Sequence, residues 1–342
     1  MSDEVAVPPV DEHARVERSG GAGSTWGGRL AAVRGLGLVG VLVVLGVVGV
    51  VTTHGRFLTG GNLVNILTSS SIVGVVTVGM TFVIIGGGID LSVGALVALA
   101  SVWATTLATQ SLATSYGAWV MVFCAIAVGV GSGLFNGILI AYGRLVPFIV
   151  TLGMMVAARG LAQSISDRKT QLVTVQPINA IASGELFGIP LMVYLFAAVV
   201  AVGWIVLNRT TFGRRTFAVG GNAEAARLAG IDVRLHTALL YVVSGLCCGI
   251  AAIMIMALTT TGSSTHGDLY ELDAIAAVII GGTLLTGGRG TLVGSILGVL
   301  VFTTITNLFV LNNLPTEVQN IAKGLIIFAA VLLQRRGRAS SA

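Results

Sequence analysis

Long apolar runs separated by short polar stretches make up the chain from about residue 35 onwards. A helix that crosses a bilayer needs about 20 consecutive, mostly apolar residues. Counting runs of that length predicts an all-α integral membrane protein with about ten transmembrane helices. The predicted spans are residues 35–51, 62–85, 91–107, 118–141, 147–164, 191–207, 237–258, 274–285, 291–311 and 318–333.

Polar segments frame this apolar region. Residues 1–34 mix arginines, acids, glycine and serine without an apolar run, which predicts a disordered cytosolic N-terminal tail. Residues 35–333 form the predicted polytopic transmembrane domain, and residues 334–342 a basic cytosolic C-terminal tail. A long polar stretch inside the domain, residues 209–236, is predicted to be a cytosolic loop.

The composition supports a membrane protein. Of the 342 residues 55% are hydrophobic and 10% are charged, and the mean hydropathy is +0.95. Soluble domains carry about 25% charged residues, so this composition excludes an ordinary soluble protein. The 47 glycines are typical of closely packed membrane helices. The formal net charge of +5 does not indicate nucleic-acid binding, because the basic residues lie in loops and tails.

The positions of the charges predict the orientation, since cytosolic loops are enriched in Lys and Arg. The 209–236 loop carries five arginines and two acids, and the C-terminal tail carries arginines without an acid. Ten crossings from a cytosolic N-terminus place both segments in the cytosol. The same count leaves the acidic loop with Asp268, Glu271 and Asp273 outside. We therefore expect a multi-pass membrane protein with both termini cytosolic.

One stretch, residues 79–96 (GMTFVIIGGGIDLSVGAL), interrupts its apolar run at the three glycines 86–88 and then passes Asp90 and Ser92. Glycine lets the backbone bend and lets neighbours approach closely. Irregular backbone at membrane depth is tolerated inside protein or beside a water-filled cavity. Two interpretations follow: Asp90 caps a new helix and contacts no solute, or the break lines a transport path.

The sequence around this break recurs late in the chain. Residues 83–87 (VIIGG) recur as residues 278–282, and both copies lead into a glycine-punctuated apolar segment. Paired, glycine-interrupted hydrophobic segments in two halves are typical of transporters built from repeats. This recurrence indicates a possible internal repeat.

The 209–236 loop contains a predicted short helix. Gly220 and Gly221 are expected to form a turn, Asn222 to cap a helix over residues 223–229, and Gly230 to end it. A helix this short is marginal in water. Either the rest of the chain orders it as a packed connector, or a partner surface does.

Motifs for catalysis are absent from the sequence. No GxxxxGK[ST] phosphate-binding loop occurs, and the four histidines are scattered over tails and loops. The three cysteines lie in apolar runs without CxxC spacing and are expected to be inert packing residues. We expect neither catalytic residues, nor a metal site, nor a cofactor bound by this chain.

Four stretches in order carry a family resemblance. They are GMTFVIIGGGIDLSVG, FNGILIAYGRLVPFIVTLGMMVAARGLA, FGRRTFAVGGNAEAARLAGI and YELDAIAAVIIGGTLLTGGRGT. The region from about residue 35 to 333 resembles the membrane permeases of bacterial monosaccharide ABC importers, the branch with ribose, xylose, arabinose and galactose type members.

The resemblance implies a permease subunit in the bacterial inner membrane that forms the path for a monosaccharide. Its implied partners are a second copy of the chain, a cytosolic ABC ATPase that binds ATP and Mg²⁺, and an extracytoplasmic sugar-binding protein. Family permeases contact the ATPase through a short cytosolic helix, which residues 220–230 match. The residues that this match assigns to the ATPase contact are Gly221, Asn222, Glu224, Ala225, Arg227, Leu228 and Gly230.

Two polar residues inside spans add to the candidate path. An arginine at mid-bilayer costs roughly 2.5–3.5 kcal/mol, so Arg159 is expected to snorkel to the outer interface or to serve the path. Asn136 is expected to donate to a neighbouring helix, or else to a sugar hydroxyl. The candidate path residues are Gly86, Gly87, Gly88, Asp90, Ser92, Asn136, Arg159, Asp273, Gly281 and Gly282.

Two other classes of membrane protein remain as alternatives. An ion-coupled secondary solute transporter would normally carry a coupling carboxylate or histidine at mid-span. Here the acids near spans are Asp90, Asp273 and Glu317, all at predicted span ends, which weighs against that class. A structural subunit without a solute path would not need broken helices. The residues do not identify the sugar, and its selection is expected to lie mainly in the binding protein.

Overall fold

The computed structural model describes the backbone of residues 23–339 and the side chains of residues 36–330 and 332. The helices are α1 (Gly23–Thr52), α2 (Gly60–Ile85), α3 (Val93–Ala104), α4 (Leu107–Tyr116), α5 (Trp119–Ala141), α6 (Pro147–Ile165), α7 (Gln176–Ser183), α8 (Leu191–Arg209), α9 (Thr211–Gly221), α10 (Ala223–Leu228), α11 (Val233–Thr259), α12 (Tyr270–Ile280), α13 (Leu292–Leu311) and α14 (Thr316–Ala339). A 3₁₀ helix covers Arg56–Leu58. The strands are β1 (Gln171–Leu172), β2 (Glu185–Leu186), β3 (Ile189–Pro190) and β4 (Thr261–Gly262).

The strands form two small antiparallel pairs in the connections between helices. Strand β1 pairs with β4, with Gln171 opposite Gly262. Strand β2 pairs with β3 as a hairpin, with Leu186 opposite Ile189. Because each strand has two residues, the protein is all-α, as predicted.

Helices α2, α3 and α11 form the centre of the molecule. In the most apolar 18-residue window of α2, 89% of the residues are buried, and in that of α11 72% are buried. The buried hydroxyls of α2 are satisfied: Ser70 pairs with Thr303 on α13 at 2.6 Å, and others donate to the carbonyl one turn earlier. Thr77 donates to Val73 at 2.8 Å, and Thr81 donates to Thr77 at 2.7 Å.

Small residues allow α5 and α11 to pack with their backbones in contact. A Cβ added at Gly133 would lie 2.3 Å from the carbonyl oxygen of Tyr241, and one at Gly129 would lie 2.2 Å from that of Gly245. Larger side chains would push the helices apart. Small residues at helix interfaces are typical of membrane bundles, where no hydrophobic force drives the helices together.

Helices α5, α6 and α8 surround this centre and expose apolar side chains. In their most apolar windows 33%, 22% and 17% of the residues are buried. Phe123, Ile149 and Ile205 are among the large exposed hydrophobic residues. An apolar outer surface on hydrogen-bonded helices is what a bilayer requires. The chain is therefore an all-α integral membrane protein.

The predicted count of ten spans is not confirmed. In the part of the chain that the structure describes, six helices are long and apolar enough to cross a membrane, and seven if α3 and α4, bent by 61°, count as one. These six are α2, α5, α6, α8, α11 and α13, each at a predicted span. The other predicted spans fall on α1, α3, α12 and α14, and the apolar part of α1 is the shorter segment Leu36–Thr52.

Two spans end earlier than predicted. The third ends at Ala104 rather than residue 107, since Thr106 caps α4 by accepting a hydrogen bond from the Thr109 N–H. The eighth ends at Ile280 rather than residue 285, because the following glycines turn the chain. Both differences come from local helix-end signals inside an apolar run, which hydropathy alone does not register.

The tail boundaries also differ from the helix ends. Helix α1 begins at Gly23 rather than at residue 35, and α14 continues to Ala339, past the predicted boundary at residue 334. Both extensions contain alanine and arginine, which favour helix once one has started. The predictions for residues 1–22 and 340–342 lie outside the described residues.

Candidate functional site

The first glycine break is a defined helix terminus at the end of α2. The Gly87 N–H donates to the carbonyl of Ile84 at 3.0 Å, and the Gly88 N–H donates to that of Val83 at 2.9 Å. This pair of bonds is the Schellman motif. The motif needs a left-handed residue, and Gly87 has φ +84°.

The second break has the same geometry at the end of α12. The Gly282 N–H donates to the carbonyl of Ile279 at 2.9 Å, and the Thr283 N–H donates to that of Val278 at 3.1 Å. Gly282 also has φ +84°, as Gly87 does. The repeated VIIGG sequence therefore forms the same structural unit twice, a helix that ends in a Schellman motif.

The first break lies against the turn that follows the second break. The N–H of Gly288, in the turn after the second break, donates to the carbonyl of Ile85, the last residue of α2, at 2.8 Å. A Cβ added at Gly287 would lie 2.8 Å from the Cα of Gly87. Segments about 200 residues apart in sequence thus form one irregular region between four helices, α2, α3, α12 and α13.

Asp90, just beyond the first break, belongs to a buried polar network. Its Oδ1 accepts from the Ser92 N–H at 3.0 Å and from the Ser92 hydroxyl at 2.6 Å, and its Oδ2 accepts from Ser244 at 2.8 Å. Asn136 donates to the Ser92 hydroxyl at 3.0 Å. All four side chains are fully buried. Burying a carboxylate is costly unless it is hydrogen-bonded, and these donors offset that cost.

This network joins the start of α3 to α5 and α11. Asp90 does not occupy the capping position of α3, because the helix begins at Val93 and Ser92 is the N-cap residue. The carboxylate instead holds the backbone N–H two residues ahead, which is an Asx turn. Asn136 donates to a neighbouring element, as the packing interpretation expected. The sequence analysis missed Ser244, whose only signal is a small polar residue in an apolar run.

Helix α10 forms as the sequence predicted. The Asn222 side chain caps it by accepting from the Ala225 N–H at 3.0 Å, and Gly230 follows its end with φ +82°. The expected turn at Gly220 and Gly221 is wrong, because these residues end α9. The sequence analysis missed α9, because three of its eleven residues are glycines, which disfavour a helix, although Thr210 caps it by accepting from the Gly213 N–H.

One face of α10 is buried and the other is exposed. Ala226 is buried against the rest of the chain, whereas Leu228 is 77% exposed. Glu224 and Arg227 form an exposed ion pair, and this hydrogen bond and charge lower the pKa of the Glu224 carboxyl. Such a pair adds little stability, but it gives the exposed face a defined arrangement of charges. The predicted ATPase-contact residues Gly221, Asn222, Glu224, Ala225, Arg227, Leu228 and Gly230 are all exposed.

Arg159 on α6 holds the loop between α11 and α12. One guanidinium nitrogen, Nη1, donates to the carbonyls of Ser264 at 2.6 Å and of His266 at 3.0 Å. The other, Nη2, lies 3.7 Å from the Asp268 carboxylate. Arg159 therefore fixes the loop backbone, a role that neither the snorkelling nor the pathway interpretation anticipated.

His266 lies in the same loop and is buried. Its Nδ1 is 3.1 Å from the Ser101 hydroxyl on α3, and its Nε2 is 3.4 Å from the Thr259 hydroxyl. Burial and the nearby charge of Arg159 lower the pKa of His266 to about 4. The imidazole is therefore neutral at physiological pH and acts as a hydrogen-bonding spacer between α3 and the loop.

Asp273 on α12 forms an ion pair with Lys323 on α14. The Lys323 ammonium lies 3.2 Å from both carboxylate oxygens, and both side chains are largely buried. The pair borders a shallow pocket between α12 and α14 that Asn320 and Leu272 also line. The sequence analysis named Asp273 but missed its partner, although a lysine in an apolar helix is a signal.

The predicted path residues thus fall into separate groups. The first break meets the turn that follows the second break, whereas Gly281 packs against Gly294 on α13. Asp90, Ser92 and Asn136 meet in one network. Arg159 and Asp273 make other contacts. Among the described residues, no group of three or more His, Cys, Asp or Glu side chains could hold a metal ion.

Apolar helices, two helices that end in the same glycine motif and an exposed short helix define a polytopic membrane protein of the transporter class. The chain belongs to the family described as "Branched-chain amino acid transport system / permease component", which matches residues 62–331. No solved structure matches the chain significantly.

Curated relatives cover most of the chain. The ribose import permease protein RbsC of Bacillus subtilis (strain 168) is 38% identical over 260 residues, 75% of this chain and 80% of that protein. RbsC of Escherichia coli (strain K12) is 36% identical over 304 residues, 87% and 92% of the two chains. The L-arabinose transport system permease protein AraH of Escherichia coli (strain K12) is 36% identical over 257 residues, 75% and 77%.

Proposed function

We propose that this chain is the permease subunit of an ATP-driven ABC importer and forms the path of a monosaccharide through the bacterial inner membrane. The names of the relatives support a monosaccharide as the substrate: they name ribose for RbsC and L-arabinose for AraH. The chain binds no cofactor and catalyses no reaction. ATP and Mg²⁺ bind to a separate cytosolic ATPase, in keeping with the absence of a phosphate-binding loop from the sequence.

The observation that carries this proposal is the exposed face of α10. A six-residue helix that is capped at Asn222 and ended at Gly230 presents Leu228 and an ion pair to the surroundings. An exposed leucine on a short, charged helix suits an apolar socket with a polar rim. The ATPase is the partner for this face, and the arginine-rich segment around α10 places it in the cytosol.

The proposed assembly contains two copies of the chain, the ATPase and an extracytoplasmic sugar-binding protein. Both termini are cytosolic, and the loop between α11 and α12 faces outwards. The sugar passes beside the glycine breaks, where Gly86, Gly87, Gly88, Gly281 and Gly282 shape the wall, and past the outward groups Arg159 and Asp273. Asp90, Ser92 and Asn136 are buried behind that wall and hold its shape.

The test is the substitution Leu228→Asp. A carboxylate in an apolar contact is an unpaired buried charge, which costs several kcal/mol. We expect the variant to insert and to dimerise but to lose its ATPase during purification in detergent, and uptake of D-ribose or L-arabinose to fall at least tenfold. Co-purification of the ATPase and vesicle uptake of both sugars, with and without ATP, measure these outcomes.

The matched control is Leu186→Asp, which places the same charge at an exposed leucine of the β2–β3 hairpin. It should retain the ATPase and transport normally. If Leu228→Asp also retains both, the contact lies elsewhere. Wild-type uptake that requires an ion gradient and no ATP would instead favour the secondary transporter.

A further inference from the structure

Three glycine-bearing segments meet at one point without side chains between them. They are the end of α2 with the first break, the end of α9, and the turn after the second break. A Cβ added at Gly220 would lie 1.8 Å from the carbonyl oxygen of Ile85 and 2.7 Å from the backbone nitrogen of Gly288. No side chain fits these distances, so backbone contacts backbone. We call these residues, 85–87, 220–221 and 287–288, the glycine junction.

The contacts of the glycine junction are mutual. A Cβ at Gly287 would lie 2.8 Å from the carbonyl oxygen of Gly220 and 2.8 Å from the Cα of Gly87. A Cβ at Gly288 would lie 2.6 Å from the Cα of Gly221. The 2.8 Å hydrogen bond from the Gly288 N–H to Ile85 adds a fixed link. Each segment therefore touches both others, and none can move alone without breaking van der Waals contact.

Helix α10 is connected directly to this point. Gly221 is the last residue of α9, Asn222 caps α10, and Ala223 begins it. Helix α9 is itself anchored, because the Thr216 hydroxyl lies 3.0 Å from Nε2 of the buried His236 on α11. A displacement of α10 therefore reaches Gly220 within three residues, with no flexible linker to absorb it.

We propose that Gly220 is a positioning residue through which a movement of α10 shifts both glycine breaks together. This inference rests on the proposed function, in which the ATPase binds α10. The junction transmits the movement because close-packed backbones push on one another, whereas side chains could change rotamer and yield. The breaks end α2 and α12 and precede α3 and α13. A displacement at Gly220 therefore changes the relative positions of these four helices.

A helical glycine outside the junction supplies the control. A Cβ added at Gly131 on α5 meets nothing within 4 Å, whereas one at Gly220 overlaps the Ile85 carbonyl. Gly220→Ala and Gly131→Ala make the same chemical change inside a helix. They differ in whether the added methyl group pushes the junction apart.

The experiment compares three readouts in both variants: co-purification of the ATPase, D-ribose uptake, and ATP hydrolysed per D-ribose imported. For Gly220→Ala we expect wild-type ATPase retention, at least tenfold less uptake, and at least a tenfold rise in ATP hydrolysed per sugar. Gly131→Ala should match the wild type within about twofold in all three. A fault in helix packing alone would lower the amount of protein but would not raise the ATP cost of each sugar.

Three results would overturn the proposal: normal coupling in Gly220→Ala, equal loss in Gly131→Ala, or loss of the ATPase from Gly220→Ala. If Gly220→Ala does not accumulate in the membrane, Gly287→Ala takes its place, since its Cβ approaches Gly220 less closely, at 2.8 Å. Failure of the proposed function is a separate outcome, because wild-type uptake would then need no ATP.

Discussion

At the scale of single residues, several of the polar groups that the structure describes have partners from distant parts of the chain. Asp90 binds Ser244, 154 positions away, and Arg159 binds the carbonyl of Ser264, 105 positions away. Hydrogen bonds to charged groups contribute about 1.5–3 kcal/mol each, and an unpaired buried charge costs more. Asp90 therefore stabilises the contact between helices beside the first break, and Arg159 stabilises the loop before α12, whether or not a solute passes them.

His266 leads to a pH prediction. The pKa of His266 is about 4 in the folded protein, against about 6.5 for an unfolded histidine. The folded state thus favours the neutral form, so its contribution is complete above pH 6.5 and is lost as the pH falls from 6.5 to 4. Between pH 7.5 and pH 5 we expect a loss of about 2 kcal/mol of stability, measured by thermal unfolding in detergent.

The control for this prediction is His266→Gln, which keeps a hydrogen-bonding side chain but cannot take up a proton. Its unfolding temperature should fall less than that of the wild type over the same pH interval. Equal pH dependence in the two proteins would mean that other groups control the acid sensitivity.

At the scale of elements, α14 is attached to α12 through the Asp273–Lys323 ion pair. Lys323 also lies over the ring of Phe302 on α13, at 5.4 Å from its centroid. One ammonium group thus bridges three helices. A buried pair of this kind is sensitive to the loss of one partner but tolerates replacement of both by apolar residues.

We therefore predict that Lys323→Met destabilises the protein by about 3–5 kcal/mol, because it leaves Asp273 without its counter-charge. The double variant Asp273→Leu, Lys323→Met should recover most of this loss. Thermal unfolding of both variants measures the effect. Wild-type stability of Lys323→Met would show that the pair does not hold α14.

The double variant also separates two roles of Asp273. If it is stable and still imports sugar, the carboxylate serves structure alone. If it is stable but transports at least tenfold less, Asp273 acts on the sugar path.

At the scale of the whole molecule, the first break, the turn after the second break and the end of α9 lie at the same end of the surrounding helices, since they meet at the glycine junction. We propose that this end faces the cytosol, because the segments beside it are rich in arginine. The loop that Arg159 holds precedes α12, whose other end carries the second break. The orientation of the whole chain in the membrane can therefore be tested by labelling one residue at each end of the helices.

Two single cysteines test the orientation in a background without Cys124, Cys247 and Cys248. Arg214→Cys on α9 and Thr265→Cys in the loop before α12 are both at exposed positions. In right-side-out vesicles a membrane-impermeant thiol reagent should label Thr265→Cys at once. Arg214→Cys should be labelled only after permeabilisation. The reverse pattern would invert the orientation.

The sequence by itself determined the features that depend on neighbouring residues. Apolar runs identified a membrane protein of helices, the two VIIGG stretches identified a recurring glycine break, and Asn222 and Gly230 marked the ends of α10. The physical reason is that these interactions are short in sequence: helix hydrogen bonds, caps and left-handed glycines involve residues within five positions of one another.

The tertiary structure decided everything that depends on distant partners. Hydropathy did not show that Asp90 needs Ser244, that Asp273 needs Lys323, or that Arg159 would bind loop carbonyls. It did not show that three glycine segments, each unremarkable alone, would meet at Gly220. Such contacts form when the helices pack against one another. A charge or backbone group that becomes buried needs a hydrogen-bond partner, and packing determines which distant residue lies close enough to supply it.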